Sequence, residues 1–136
     1  MRTGAHEHPD SMKTSIRPDK SSEDTPFTPA VEANGFIFIS GQIASVAGTR
    51  QLRTDNITQE TQQVMDNIST ILKAAGLGFD HLVKCTIYIS NLQYYAEMSR
   101  VYQACFTGDP PARETLCVKE IPRGVNVMIS AIAVRG

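Results

Sequence analysis

Residues 125–134 constrain the fold of this chain more than any other segment. Alternate positions form one apolar face, which consists of Val127, Ile129, Ala131 and Ala133. The positions between them form a second apolar face, interrupted only by Ser130. Successive side chains of a β-strand point to opposite sides, so both sides of this strand must be covered. The segment therefore predicts a strand inside a sheet that other structure covers on both faces.

Two segments have the spacing of amphipathic helices. In residues 57–75 the inward positions recur at three- and four-residue steps, and they are Ile57, Thr61, Val64, Ile68, Ile71 and Ala75. Asn56 or Asp55 can cap the start of this helix, and Gly76 suits the left-handed position after its end. A second helix is predicted over 92–106, and Asp109-Pro110-Pro111 prevents it from continuing.

The remaining periodic segments predict strands. Ala30–Glu32 and Phe36–Ser40 form a hairpin, because Asn34-Gly35 suits the two positive φ angles of a type I′ turn. Further strands are predicted at 81–90, 113–118 and 125–134, with a possible edge strand at 13–17. The fold class is therefore α+β, with a mixed six-stranded sheet and two helices on one face. The two helices can cover only one of the sheet's two apolar faces. We therefore predict that the second face meets another subunit.

Composition limits the function classes. Residues 1–28 are polar and lack apolar periodicity, which predicts a mobile, partly extended leader before a single domain at 29–136. Met12 is a possible alternative start. The formal charge of −1 gives no reason to expect nucleic acid or an anionic membrane as partner. No apolar run approaches the roughly 20 residues that cross a bilayer, and no secretory signal is visible. We expect a cytoplasmic protein.

The cysteines and histidines do not form a metal-binding pattern. Cys85, Cys105 and Cys117 are widely spaced and odd in number, which disfavours both a disulfide framework and a zinc site. Each lies in an apolar segment, so all three are predicted to be buried free thiols. His6 and His8 lie in the polar leader, and His81 opens a predicted strand. We expect neither a metal nor a cofactor.

Several segments between about residues 26 and 135 form a recognisable set. They are 38–43 (FISGQI), 62–76 (QQVMDNISTILKAAG), 82–89 (LVKCTIYI), 101–102 (VY), 111–113 (PAR) and 131–133 (AIA). In order and spacing they resemble the Rid/YjgF family, whose best-known members hydrolyse reactive enamines and imines. The resemblance implies a chorismate-mutase-like fold. It also implies a homotrimer whose sheets enclose a central barrel, with ligand sites in the clefts between subunits.

The resemblance also implies site residues. Arg113 matches the arginine that binds the substrate carboxylate, for which a fixed, always-charged fork of donors is well suited. Ser40 and Gly41 match residues that line the pocket. Thr115 takes a position where many members have cysteine and whose backbone contacts the reacting group. Phe27 falls where a tyrosine is common, and its ring can pack against the ligand but cannot donate a hydrogen bond.

Met128 departs from the family pattern. Imine deaminases of the family usually have a glutamate here that positions the attacking water, and a thioether cannot take a proton. Glu114 should point to the face opposite Arg113, and Glu120 lies beyond the strand end. The implied function is hydrolysis of 2-imino or 2-amino-unsaturated carboxylic acids to 2-oxo acids and ammonia. The alternative is a trimeric carboxylate-binding or regulatory protein with little turnover, in which Arg113 holds the ligand and Met128 replaces the acid.

Overall fold

A mixed sheet forms the centre of the computed structural model, which describes residues 5–7, 12–19 and 26–136. Its strands follow the spatial order β1-β2-β3-β4-β7-β5-β6. Only the β5–β6 pair is parallel, and every other neighbouring pair is antiparallel. The strands are β1 (Ala5–Glu7), β2 (Thr14–Ile16), β3 (Ala30–Ala33), β4 (Phe36–Gln42), β5 (Leu82–Ile89), β6 (Ala112–Cys117) and β7 (Val127–Val134).

Both predicted helices are present. Helix α1 spans Ile57–Ala74, and the Asn56 side chain caps it by accepting a hydrogen bond from the Gln59 N–H at 2.8 Å. Gly76 takes φ +76° just beyond its end, as expected for a left-handed terminus. Helix α2 is shorter than predicted, because residues 92–94 form a 3₁₀ turn and the α-helix runs only over Tyr95–Gln103.

The strands confirm the predicted fold class and add one strand to it. Asn34 and Gly35 both have positive φ angles, and they connect β3 to β4 as the hairpin spacing predicted. All six expected strands form, and the short β1 makes a seventh at the edge of the sheet beside β2. His81 does not open a strand as predicted, since it closes a 3₁₀ turn before β5 begins at Leu82.

Part of the predicted leader contributes to the sheet. Strand β2 pairs with β3, and the Ile16 side chain is fully buried. Residues 1–4, 8–11 and 20–25 lie outside the described residues, and the predicted mobility of these segments is untested. The boundary at residue 29 stays a prediction. Within the described part of the chain, no helix is both long and apolar enough to cross a lipid bilayer.

The core lies between the sheet and the helices. Strand β7 alternates as expected, with Val127, Ile129, Ala131 and Ala133 buried against the helices. Cys85 is also buried there, whereas Cys105 is only half-buried. The prediction of a buried thiol is wrong for Cys117, which is exposed. Strand β6 is an edge strand, and neither face of its last residues is covered.

The opposite face of the sheet is apolar and largely uncovered. Phe36 and Phe38 of β4 pack against each other with ring centroids 6.3 Å apart and remain 45% and 48% exposed. Leu116 of β6 and Val83 of β5 are also more than two-fifths exposed. We call this surface the bare face. Its apolar character agrees with the second apolar face expected from β7.

Candidate functional site

Arg113 is held on the helix-covered side of β6 by four side chains. Its Nε donates to Thr115 Oγ1 at 3.1 Å, and its Nη1 donates to Ser99 Oγ at 2.9 Å. The guanidinium carbon lies 5.3 Å from the Tyr95 ring centre and 5.0 Å from that of Tyr102, within cation–π distance. The guanidinium is therefore fixed between β6 and α2. Arg113 and Thr115 share a face, as predicted.

One donor of this guanidinium has no acceptor. Nη2 is buried and makes no hydrogen bond within the described residues. No described carboxylate lies within ion-pair distance of Arg113 either. A buried donor without a partner typically costs about 1–3 kcal/mol, so an incoming carboxylate would relieve a real deficit. Tyr95, one of the two rings beside the guanidinium, is 46% exposed, so this side of the group is open to solvent.

The backbone of β6 offers further polar groups beside Arg113. Val118 N donates to Ile89 O at 2.8 Å, and Ile89 pairs in parallel register with Cys117. In a parallel ladder the residues that bond to the neighbouring strand alternate, so Glu114 and Leu116 share the orientation of Val118. The N–H and C=O groups of Arg113 and Thr115 therefore point away from β5. Since β6 ends the sheet, they have no strand partner among the described residues.

Ser40, Gly41, Phe27 and Met128 form a second group at the other half of the sheet. Ser40 Oγ donates to the Thr28 carbonyl at 2.6 Å, and Ser40 N donates to the Pro29 carbonyl at 2.9 Å. These bonds fix the segment that carries the half-exposed Phe27. The pairing of β4 with β7 shifts between Ile39 and Gln42, which places Ser40 and Gly41 at a bulge.

Gly41 lies directly against the Met128 side chain. A Cβ at this position would lie 2.8 Å from Met128 Sδ and 3.1 Å from its Cγ. The Met128 side chain therefore packs directly on the Gly41 backbone. A longer or charged side chain at residue 128 would meet the same backbone, so residue 128 lies against the predicted pocket wall.

A single protomer does not bring these two groups together. Thr115 lies on β6 and Ser40 on β4, with β5 and β7 between them. Three strand spacings correspond to about 14 Å. Arg113 and Thr115 also face the helices, whereas Met128 alternates with buried Val127 and Ile129 and so faces the other side. Each protomer thus presents two separate halves of the predicted site.

A cavity of about 640 Å³ opens beside the second half. Gly41 and Phe27 contribute to its wall, together with the loop after β4 and one side of α1. Asn67 of α1 fixes this loop by donating to the carbonyls of Ile43 and Ser45 at 3.0 and 2.8 Å. Arg50 and Arg123 complete the wall. Sequence patterns did not indicate this cavity, since its wall combines segments that are far apart in the chain.

In the sequence, the residues that hold Arg113 appear only as members of the apolar side of the second predicted helix. Tyr95, Ser99 and Tyr102 share one side of α2, and such a stripe predicts packing on the core. Ser99 in an otherwise apolar stripe was the one signal of a polar partner. Below them, burial raises the pKa of the Cys85 thiol, and burial also raises the pKa of the adjacent Tyr102 hydroxyl. Both groups therefore stay neutral beside the charged guanidinium.

Comparison with known proteins identifies the family. The family model described as Endoribonuclease L-PSP matches residues 19–135. The chain belongs to the Rid/YjgF family. Among curated Rid/YjgF relatives, Protein DfrA of Myxococcus xanthus is 41% identical over 104 residues, which cover 76% of this chain and 79% of that protein. The 2-iminobutanoate/2-iminopropanoate deaminase of mouse (Mus musculus) is 36% identical over 111 residues, 82% of each chain.

A solved Rid/YjgF structure has the same fold. The Rid-family protein YyfA of Yersinia pestis superposes with a TM-score of 0.85 at 35% identity. The match covers 90% of this chain and 98% of that one. Fold and family are thus established together, by sequence and by structure.

Three acids of this Rid/YjgF chain, Glu114, Glu120 and Glu60, were candidates to replace the family glutamate, and none of them does so. Glu114 forms an ion pair with Lys84 at 2.9 Å and points away from Arg113, as predicted. Glu120 lies in the connection after β6 and is exposed. Glu60 approaches β7 from α1, but it is fully buried and accepts hydrogen bonds from the backbone of Asn126 and Val127. None of the three is both close to Met128 and free to move a proton.

Proposed function

We propose that the protein hydrolyses 2-imino or 2-amino-unsaturated carboxylic acids to 2-oxo acids and ammonia. The observation that carries this proposal is the buried, unpartnered Nη2 of Arg113, which no described carboxylate neutralises. A small organic acid supplies the missing acceptor and the opposite charge. The mouse relative is named as a deaminase of 2-iminobutanoate and 2-iminopropanoate, which are acids of this kind.

The complete site requires neighbouring subunits in this proposal. Each protomer carries the Arg113–Thr115 half on the β6 edge and the Gly41–Phe27–Met128 half near the other side of the sheet. A homotrimer that closes its bare faces into a central barrel would place the first half of one subunit beside the second half of the next. The exposed phenylalanines of β4 support burial of that face.

The chemistry needs few groups. Arg113 holds the substrate carboxylate, and the outward N–H and C=O groups of Thr115 orient the C=N unit and the attacking water. A 2-amino-unsaturated acid first becomes the imine as a proton moves from its nitrogen to its β-carbon. Water then adds to the imine carbon to form a carbinolamine. Transfer of a proton to nitrogen and cleavage of the C–N bond then release ammonia and the 2-oxo acid. No metal or cofactor takes part in these steps. Without a carboxylate at residue 128, water and substrate must relay the proton themselves.

A second function is favoured by Met128. Loss of a positioned acid–base group typically lowers rates by about 10²–10⁴-fold. A trimer that binds a small carboxylate through Arg113 and turns it over slowly or not at all is consistent with the same contacts. It would act as a carboxylate-responsive binding or regulatory protein. The two functions share the anchor and differ in turnover.

The decisive experiment generates 2-iminobutanoate or 2-iminopropanoate in situ and follows its conversion by competition with semicarbazide. We expect the wild-type protein to accelerate conversion and Arg113→Ala to lose at least about tenfold in kcat/KM, because a charge-assisted hydrogen bond is lost. Arg113→Lys keeps the charge but not the fork, so we expect it to be intermediate. Arg100→Ala is the matched control, since Arg100 is an exposed arginine of α2 that bonds to Thr58.

The same variants separate the two functions. If wild type and Arg113→Ala both match the uncatalysed rate, the deaminase proposal is wrong for these substrates. Thermal stabilisation by 2-oxobutanoate that Arg113→Ala abolishes and Arg100→Ala retains would then support the binding function. Equal stabilisation of all three proteins would contradict both.

A further inference from the structure

The cavity beside Gly41 has a positively charged part of its wall. Arg123 Nη2 donates to the Arg50 carbonyl at 2.8 Å, which brings two residues 73 positions apart to the same place. Both arginines line the cavity. Arg123 adopts φ +66°, a left-handed conformation that side-chain-bearing residues rarely take. The chain keeps an arginine at a position where glycine or asparagine would be less strained.

These two guanidinium groups lack acidic partners. Neither forms an ion pair with a described residue. Among the described residues that line the cavity, Asp19 is the acidic one, and it already interacts with another residue. Two cations against one carboxylate leave the wall positive. Since both arginines line one cavity, an anion bound there is attracted by both charges.

The size of the cavity exceeds the needs of the smallest imino acids. Its volume of about 640 Å³ falls within the range of sites for drug-sized ligands. A four-carbon imino acid fills only part of this volume in a single protomer. Phe27 and Gly41 belong to the cavity wall and also to the predicted pocket. The cavity therefore adjoins the second half of the candidate site at these two residues.

From this arrangement we infer that the preferred substrate is a 2-imino or 2-enamino dicarboxylic acid, whose second carboxylate binds to Arg50 and Arg123. The inference rests on the proposed function for the first carboxylate, which Arg113 of a neighbouring subunit holds. The arginine pair determines specificity and does not take part in bond cleavage. The reaction that supplies such a substrate is an oxidation or elimination that acts on an amino dicarboxylic acid.

The test compares two imines that an amino-acid oxidase generates in situ, 2-iminoglutarate from glutamate and 2-iminobutanoate from 2-aminobutanoate. The quantity measured is the ratio of kcat/KM for the dicarboxylate to kcat/KM for the monocarboxylate. The double variant Arg50→Gln/Arg123→Gln should lower this ratio by about tenfold or more, the cost of a lost charge-assisted bond. Arg53→Gln is the matched control, since Arg53 lies in the same loop but outside the cavity wall.

A second readout does not require turnover. Thermal stabilisation of wild type by 2-oxoglutarate should exceed that by 2-oxobutanoate at equal concentration, and the double variant should lose the difference. The two proposals can fail separately. If no imine is turned over, but 2-oxoglutarate still stabilises wild type more than 2-oxobutanoate does and the double variant loses this difference, the deaminase proposal fails and the second anion site stands. An unchanged ratio in the double variant, or an equal loss with both imines, would overturn the inference. Unliganded melting temperatures confirm that the variants fold.

Discussion

At the scale of single residues, Met128 is the position that we expect to limit the rate of the proposed reaction. Its thioether packs on Gly41, where the family resemblance predicts a carboxylate. Methionine and glutamate have side chains of similar length, so the backbone space that Gly41 provides can accept either. The substitution therefore removes a proton carrier without requiring any change in the pocket wall.

Restoring the acid is the direct test of this view. We expect Met128→Glu to raise kcat/KM for 2-iminobutanoate by about 10²-fold, because a positioned acid–base group typically contributes 10²–10⁴-fold. Met128→Gln is the control, since it has the same length and polarity but cannot carry a proton. An equal rise in both variants would show that polarity matters and proton transfer does not. A protein with no response to Met128→Glu but intact carboxylate binding would favour the regulatory function.

At the scale of elements, α1 and β7 are joined by one buried carboxylate. Glu60 of α1 is fully buried and accepts from Asn126 N at 2.7 Å, Val127 N at 2.9 Å and Asn126 Nδ2 at 2.8 Å. Three donors satisfy the charge that burial would otherwise penalise. The contact sets where β7 starts, and so it positions Met128 one residue further on.

Glu60→Gln should therefore lower stability markedly. The amide nitrogen would face backbone N–H donors, and the charge-assisted bonds would be lost, so we expect a loss of about 2–4 kcal/mol in the free energy of unfolding. Urea unfolding measures this. Glu97→Gln is the control, because Glu97 also bonds to another helix, through Thr58, but is exposed. A comparable loss in both variants would contradict a special role for burial.

Sequence periodicity predicted the elements better than their contacts. The stripe of α1, the Asn34-Gly35 turn and the alternation of β7 each report a local preference, and each prediction is confirmed. The predicted helix at 92–106 was too long, because the spacing of apolar residues does not distinguish a 3₁₀ turn from an α-helical one. The Ser99–Arg113 bond and the Arg50–Arg123 pair depend on residues far apart in the chain, and no local pattern encodes them.

At the scale of the whole molecule, the bare face and the divided site both support the proposed assembly of subunits. Phe36, Phe38 and Leu116 are large apolar side chains that a lone protomer leaves 42–48% exposed. Exposed apolar surface of this kind is typical of a subunit interface. The β4 and β7 residues of one half lie three and two strand spacings from β6, and in the proposed site a ligand contacts both halves across a subunit interface. Assembly and activity should therefore be lost together.

Phe38→Lys tests this link. A lysine in the middle of β4 would place a charge in the buried interface, at a cost that no partner offsets. We expect sedimentation equilibrium to show a trimer for wild type and a monomer for the variant, with the monomer losing imine turnover although Arg113 is unchanged. Gln62→Lys is the matched control, because it adds the same charge at an exposed position of α1, on the other side of the sheet. Because Phe38 lies on the face away from α1 and α2, the helix-side core should remain intact, and far-ultraviolet circular dichroism can confirm this. A monomer that keeps full turnover would show that one protomer contains a complete site and would refute the shared-site proposal.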